Sequence, residues 1–365
     1  TNAAYLARAG LDVLVVEKND YIGGAAVTRE MHEGWHYSSC SYVCSMMRQA
    51  IHRDLDLSSH GLLLVPYLGT VNFGDRGETL VEYTDPELAY NELRRHSPHD
   101  ADAMFRFQAD LGRYAQLIRK TLLRTPPDPT SFKPRDIREL LFLARTFWSL
   151  GERELYEYMR FFTMSAAEFL EDYFDNELIK AAMASPGVIG TALGVYSPGS
   201  AYILLHHVMG DVDGCVGAWG LARGGMGAIS NALACAAQAA GARIRTNAGV
   251  RQILVTGGRA SGVALESGEE LSARIVVSNL DARRTFTKVM DKKDLPPGIY
   301  DRAANFKIRG SSGKVNIALS GMPTFAGVPD NRYINRGGLG FCGSLETMER
   351  AYDCWKRGRW SDDPF

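Results

Sequence analysis

No stretch of the 365 residues approaches the ~18 consecutive apolar positions of a membrane-spanning helix. Charge of one sign is not in excess either: 41 Lys and Arg face 42 Asp and Glu. Such a balance gives the chain as a whole no electrostatic pull toward nucleic acid or an anionic membrane. Cysteine is scarce for this length. Cys40, Cys44, Cys215, Cys235, Cys342 and Cys354 are widely spaced and match no metal pattern, which points to reduced, mostly buried thiols in a cytosol-like compartment. An organelle such as the mitochondrion is the corresponding expectation for a eukaryotic source. The first residues carry neither a charged n-region nor an apolar h-region. Gly-rich turns occur, but none has the Lys and Ser/Thr of a P-loop, so an NTPase is excluded.

What the sequence does have is an ordered run at its start. Ala3, Ala4, Leu6 and Ala7 form a small-residue helical face, Gly10 is placed to end that helix in a left-handed cap, and Asp12 to Val16 reads as a short strand buried on both sides. Glu17 follows at the strand's carboxyl end. In an open parallel sheet, an acidic side chain there accepts hydrogen bonds from the ribose of an adenine dinucleotide, while the pyrophosphate rests on the N-terminus of the preceding helix. A carboxylate at that place repels a 2′-phosphate, so FAD or NAD is favoured over NADP. The fingerprint glycines belong within about 20 residues upstream of the acidic residue. Counting back from Glu17 puts them just before Thr1, and the sequence reads as one that begins one turn too late. Gly23-Gly24 then supplies a second turn at which backbone can approach a ligand without Cβ contacts.

Three further stretches add to this. Leu14-Val15-Val16-Glu17 with Ile22-Gly23-Gly24-Ala25-Ala26-Val27-Thr28 resembles the FAD-binding start of the phytoene desaturase and amine oxidase superfamily. Within it, Leu204-Leu205-His206-His207-Val208-Met209-Gly210 and Gly217-Ala218-Trp219-Gly220 are similar to the pyridine nucleotide-disulphide oxidoreductase domain-containing protein 2 branch, which is phytoene dehydrogenase-like. The resemblance covers nearly the whole chain. It implies an α/β fold: a Rossmann-like FAD-binding domain of the two-dinucleotide-binding-domain flavoprotein type, with an inserted α+β substrate domain. It also implies FAD contacts at Glu17, Lys18, Gly23, Gly24 and Ala25, and backbone groups of 38–42 near the pyrophosphate or the ring.

Between these motifs the chain reads as follows. His32, His36, Cys40 and Cys44 recur every four residues, but on a helix the outer two would stand about 18 Å apart at 1.5 Å per residue. Gly34-Trp35-His36-Tyr37 favours an extended segment, and no metal site is expected. Residues 62–83 suggest a few strands. Thr84-Asp85-Pro86-Glu87 and Ser97-Pro98-His99-Asp100 each start a helix. Helical spacing resumes over 136–150 and 152–174 after Thr125-Pro126-Pro127-Asp128-Pro129. Leu141, Phe142, Phe147, Trp148, Phe161, Phe162, Phe169, Tyr173 and Phe174 make that region aromatic, either as a helical core or as a cap that lines an apolar channel or rests on a membrane surface. Adjacent His206 and His207 point apart and cannot chelate one ion together. Each is read as a hydrogen-bonded structural group, with proton transfer beside a flavin as the alternative.

Residues 214–227 hold six glycines just before a helix that runs through Ala240. In the family, this turn packs near the junction of the two domains. Strands are expected at 242–246, 250–255, 260–266 and 270–277, joined by hairpins at Gly257-Gly258 and Ser267-Gly268. By the resemblance, the Val250 backbone meets the adenine edge and Ser278-Asn279 ends a return strand near the cofactor. Residues 312–319 read as a strand and 345–355 as a helix, and the sequence stops before the family's C-terminal flavin segment.

The expected division is residues 1–83 and 205–285 for FAD, 84–204 for a mainly helical cap, and 286–365 for a substrate-side sheet. The expected activity is hydride transfer from a C–H bond of an apolar substrate to flavin N5, with reoxidation by oxygen, a quinone or another acceptor. An amine oxidase-like flavoenzyme and a non-catalytic interaction protein that keeps the fold are the alternatives. A flavin carries the electron chemistry itself, so the sequence marks no catalytic residue. Expected partners are a small apolar substrate and an electron acceptor, with peripheral membrane contact and without nucleic acid; the oligomeric state is left open.

Overall fold

The computed structural model describes every residue except Asp213, Arg309, Ser311, Pro329 and Asp330, together with the backbone alone of Asn331. The chain forms two compact units. The first comprises Thr1–Val43, Ala50–Leu64 and Ala222–Arg309; the second comprises Cys44–Gln49, Val65–Leu221 and Gly310–Phe365. Residues 65–83 and 205–221, grouped by sequence with the cofactor-binding part, pack in the second unit.

In the first unit the helix Asn2–Arg8 buries Ala4 and Ala7, as its small-residue face predicts, and packs on the helix Gly227–Ala239, which turns Ala232, Ala236 and Ala237 inward. Small side chains on both helices allow this approach. Gly10 follows with φ +84°, the left-handed conformation that carries the chain out of the helix at little cost to a residue without Cβ. The strand Leu14–Val16 then pairs in parallel with Arg243–Arg245, Val15 lying opposite Ile244. The ladder continues beyond the strand ends: the Arg243 amide donates to Val13 O (2.8 Å), Glu17 N to Arg245 O (2.9 Å) and Ala248 N to Glu17 O (2.8 Å).

Two expectations are corrected here. The Leu14–Val16 strand is not buried on both sides, since Leu14 is exposed and Val15 and Val16 are half-buried. Among the described residues only Arg243–Arg245 pairs with it, which leaves one edge open. The other concerns the β region that follows. Val250–Thr256, Arg259–Leu265 and Glu270–Ser272 do form an antiparallel meander. Gly257 (φ +58°) and Gly258 (φ +75°) make its first turn, as a two-residue hairpin requires. The third strand, however, ends at Ser272. Ile275-Val276-Val277 pairs with no strand among the described residues, and Ile275 and Val277 are exposed. Their β-branched pattern is that of a strand, but strand formation also needs a partner edge.

The second unit is largely helical. Asp85 caps the helix Pro86–His96 and Ser97 caps Pro98–Arg119, each with proline at the first turn. Pro134–Trp148, Gly151–Thr163, Ala166–Glu171, Glu177–Ala184 and Ala201–Val208 follow. Their core is aromatic: Tyr114 stacks on Phe161 at 4.5 Å, Phe161 meets Phe169 edge-on at 4.8 Å, and Phe107 meets Phe174 edge-on at 5.1 Å. Two buried phenols find partners, Tyr158 donating to Tyr114 O (2.5 Å) and Tyr173 to Asp110 Oδ2 (2.7 Å). A small sheet places Thr70–Phe73 between Gly338–Gly340, in parallel, and Thr79–Val81, antiparallel. Residues 312–319 are not a strand. Val315 and Ile317 are exposed, and no edge among the described residues pairs with them. The helix Leu345–Lys356 forms where expected, capped by Ser344. Among the described residues no helix is long and apolar enough to cross a membrane.

Candidate functional site

All the residues the sequence singled out for a dinucleotide lie in the first unit. Glu17 sits where the parallel strand ends, half-buried, with its side chain already aimed: Oε1 accepts from the backbone amide of Asn19 (2.9 Å) and from its side-chain Nδ2 (3.0 Å). Asn19 is a partner the sequence reading missed. It fixes one carboxylate oxygen and leaves Oε2 with no partner among the described residues, so a ribose hydroxyl has an acceptor to which it can donate. Lys18 leans the other way and pairs with Glu266 at 3.3 Å, both groups well exposed.

Gly23 and Gly24 need to be glycine for different reasons. At Gly23, φ is +110° and a Cβ would stand 2.5 Å from Ala26 O and 2.7 Å from Ser230 Oγ. Gly24 has open space around it but a φ of +57°. The turn they make is held from outside: Ser230 donates to Ala26 O at 2.7 Å, and the Ala25 carbonyl accepts from Ser41 N at 3.0 Å. The hairpin that follows, Thr28–His32 paired with Trp35–Ser38, confirms an extended rather than helical His32–His36 segment.

That hairpin explains the later glycine run. Thr28 Oγ1 donates to Gly224 O (3.0 Å) and accepts from Gly227 N (3.0 Å), and Ser38 Oγ accepts from Met226 N (3.0 Å). A Cβ on Gly225 would run into the Thr28 and Ser38 hydroxyls, and one on Gly227 would meet Thr28 N at 2.6 Å. Glycine is required here for close packing inside the first unit, and the amides that open the helix Gly227–Ala239 are already committed to Thr28 and Ser38. The turn is therefore a brace behind Gly23-Gly24. Thr28 and Ser38 carried only a faint sequence signal, as small polar residues just after the double glycine.

A cleft of about 1520 Å³ runs along the open edge of the Leu14–Val16 strand. Leu11, Leu14, Val16, Ile275 and Val277 are among the residues that line it. In a parallel pair, alternate residues bond to each side; Val13, Glu17 and Asn19 serve the Arg243–Arg245 side, so Leu14 and Val16 turn their peptide groups toward the cleft. The lining mixes these apolar side chains with charged ones, among them Asp12, Arg243, Glu266, Arg274 and Arg284. Glu17, Lys18, Val250, Ser278 and Asn279 also line it, whereas Gly23, Gly24 and Ala25 do not. Val250 heads the meander opposite Leu265. Ser278 shares a hydrogen bond with Thr285 (2.8 Å), and with Asn279 follows this unpaired stretch rather than closing a return strand.

His206 and His207 are in the second unit, at the end of the helix Ala201–Val208. They diverge as expected, His206 outward and His207 inward against Trp219 (5.4 Å between ring centres). His207 is not the hydrogen-bonded group expected from sequence: its Nδ1 is buried without a partner among the described residues. Burial, with a smaller contribution from His206, lowers its pKa and keeps it neutral at neutral pH.

Over residues 1–356 the sequence matches the family described as "Flavin containing amine oxidoreductase". It is 35% identical to the mouse (Mus musculus) protein called "Pyridine nucleotide-disulfide oxidoreductase domain-containing protein 2" over 346 residues, 90% of this chain and 59% of that one. It is 26% identical to the phytoene desaturase of Neurospora crassa over 355 residues, 88% of this chain and 53% of that one. The chain thus spans a little over half the length of these relatives. A solved putrescine oxidase variant superposes with a TM-score of 0.51 at 18% identity, covering 83% of this chain and 60% of that one, and shows the same fold. The Rossmann-like architecture read from Leu14–Gly24 and the family's flavin cofactor, FAD, stand together on these findings. This chain is a member of the flavin containing amine oxidoreductase family.

Proposed function

We propose that the protein is an FAD-dependent oxidoreductase of the phytoene dehydrogenase-like type that takes a hydride from a C–H bond of an apolar, isoprenoid-like or lipid-like substrate and passes the electrons to a separate acceptor. The observation that carries this reading is Glu17, an oriented carboxylate at the end of a parallel strand with one oxygen held by Asn19 and the other available to a ribose. Support for the substrate class comes from similarity to the Neurospora phytoene desaturase and to a Rhodobacter capsulatus phytoene desaturase (27% identical over 301 residues).

The residues present fit the adenosine end of FAD. Glu17 would hold the ribose; the Gly23-Gly24 turn offers backbone without Cβ obstruction at Gly24; and Ala25, Lys18, Val250, Ser278 and Asn279 are the remaining groups assigned to the cofactor. When bound, FAD supplies the two-electron acceptor for the hydride. The part of this chain is to bind, orient and exclude water. Ser230 holds the double-glycine turn through Ala26 O, Thr28 and Ser38 brace residues 224–227 behind it by three further hydroxyl hydrogen bonds, and Asn19 keeps the Glu17 carboxylate from turning away. The test is direct: full-length protein purified with added FAD should retain it and show a flavin absorption spectrum. A folded, colourless protein that takes up no FAD would overturn the proposal.

A further inference from the structure

Aromatic and aliphatic residues of the helical unit divide into two groups. Phe161, Phe169, Tyr173 and Phe174 form its core. Others, on the helix Pro134–Trp148, do not join it: Ile137 is 41%, Leu141 65% and Trp148 89% exposed, and Ala144 is exposed as well. These four recur every three or four residues, so they share one face of the helix. Leu140, Leu143 and Phe147, about a quarter turn round the helix from this stripe, are partly buried, as is usual for a helix resting on a core. Pro134–Trp148 thus has two apolar sides, one of them turned to solvent. Phe132, just before the helix begins, is 92% exposed.

Charge is distributed unevenly around this face. Arg138 and Arg145, seven residues apart, stack along one rim of the stripe, next to Leu141, and Lys133 and Arg135 are exposed at the helix start. One acidic residue of the helix reaches one of these cations, Glu139 toward Arg138. Glu139 is buried and bound to Arg124 at 2.7 Å, with Arg138 reaching it at 3.3 Å, while Asp136 is half-buried and accepts from Asp128 N. Arg145 has no carboxylate partner among the described residues. The chain is neutral as a whole, yet this surface is apolar in the middle and cationic along its rim.

We infer that the Ile137–Leu141–Ala144–Trp148 face seats the protein on an anionic phospholipid bilayer, the apolar stripe entering the headgroup boundary and Arg138 and Arg145 meeting lipid phosphates. An interfacial helix needs such a combination: an apolar face, a cationic rim, and aromatic residues that are stable at the lipid–water boundary. Fifteen residues are too few to span a bilayer, so the helix lies on the surface. The inference does not depend on the flavin reading, because it uses only the exposed surface of the second unit.

Co-sedimentation with large unilamellar vesicles, phosphatidylcholine alone against phosphatidylcholine with phosphatidylglycerol, tests it on the full-length protein. The expected result is binding to the anionic vesicles that weakens as salt is raised. Leu141→Glu with Trp148→Glu should lower it by about tenfold or more. Arg138→Gln with Arg145→Gln should remove the preference for anionic over neutral vesicles. These positions are exposed, so the variants should melt with the wild-type protein, which circular dichroism checks. Wild-type protein that ignores both vesicle types, or folded variants that bind as wild type does, would overturn the inference. So would light scattering that shows a dimer dissociating in Leu141→Glu with Trp148→Glu while vesicle binding is unchanged, because a second copy would then cover the face.

Discussion

The surroundings of Gly23 in the first unit and of Phe161 in the second are both closely packed, by opposite means. Around Gly23 the chain removes side chains: Gly23, Gly225 and Gly227 let backbone meet backbone, and Thr28, Ser38 and Ser230 bind the segments with hydroxyl hydrogen bonds. Around Phe161 it adds them, with Tyr114, Phe162 and Phe169 in ring contact. Hydroxyl-to-backbone contacts are directional and fix a turn to a fraction of an ångström, which a cofactor site needs. Aromatic burial is larger in energy and less particular in geometry. The difference teaches that binding precision and bulk stability are supplied by separate sets of residues, and single substitutions should separate them.

The largest effect should come from the aromatic side. Phe161→Ala removes a ring that is 1% exposed and should destabilise the second unit by about 3–5 kcal/mol; a denaturant titration followed by near-ultraviolet circular dichroism checks it. A loss below about 1 kcal/mol would mean that the ring cluster is not the core of that unit. Next comes Gly23→Ala, which places a Cβ 2.5 Å from Ala26 O at a φ of +110° and should cost about 1–3 kcal/mol. It should also loosen FAD more than Phe161→Ala does, and the reverse order would break the comparison.

Two carboxyls of the helical unit give a smaller, pH-dependent effect of opposite signs. Burial raises the Glu82 pKa to about 6, against hydrogen bonds from Asn72 and Thr70 that lower it. The folded value lies above the ordinary 4.5, so the contribution of Glu82 is complete below pH 4.5 and is lost as pH rises through about 6. Asp100 is the reverse: burial works against its charge, but amide hydrogen bonds from Asp175 (3.0 Å) and Asn176 (2.8 Å), with His99 and Ser97, hold its pKa below 3.8. Its contribution is present above 3.8 and is lost as pH falls through the lowered value. Glu82→Gln should therefore flatten the melting temperature between pH 4.5 and 6 and leave the acid limb unchanged; Asp100→Asn should make the acid limb shallower, since other carboxyls such as Glu139 and Glu157 are lowered as well.

Much of this was readable from local sequence. Gly10 ended its helix, Asp85-Pro86 and Ser97-Pro98 opened theirs, and Gly257-Gly258 turned the meander, because caps and turns are decided by residues within a few positions. Pairing was less readable. Residues 242–246 were expected as a strand, but nothing in Arg243-Ile244-Arg245 marked Leu14–Val16 as its partner. Ile275–Val277 and residues 312–319 have strand composition but no partner edge among the described residues, and remain unpaired. The aromatic helices were legible as helices, but not as two groups, since whether a ring such as Phe161 or Trp148 faces the core or solvent depends on how its helix is turned. Within the site, Glu17 and the double glycine were found by motif. Asn19, Thr28, Ser38 and Ser230 were not, because hydroxyl and amide contacts of this kind depend on tertiary geometry.

The account rests most on Glu17. Fluorescence titration of FAD into the full-length protein should show Glu17→Ala binding more weakly by about 1.5–3 kcal/mol, roughly tenfold to a hundredfold, the range for a hydrogen bond to a charged group. Affinity unchanged from wild type in a folded Glu17→Ala protein would contradict the placement of the ribose at the end of the Leu14–Val16 strand.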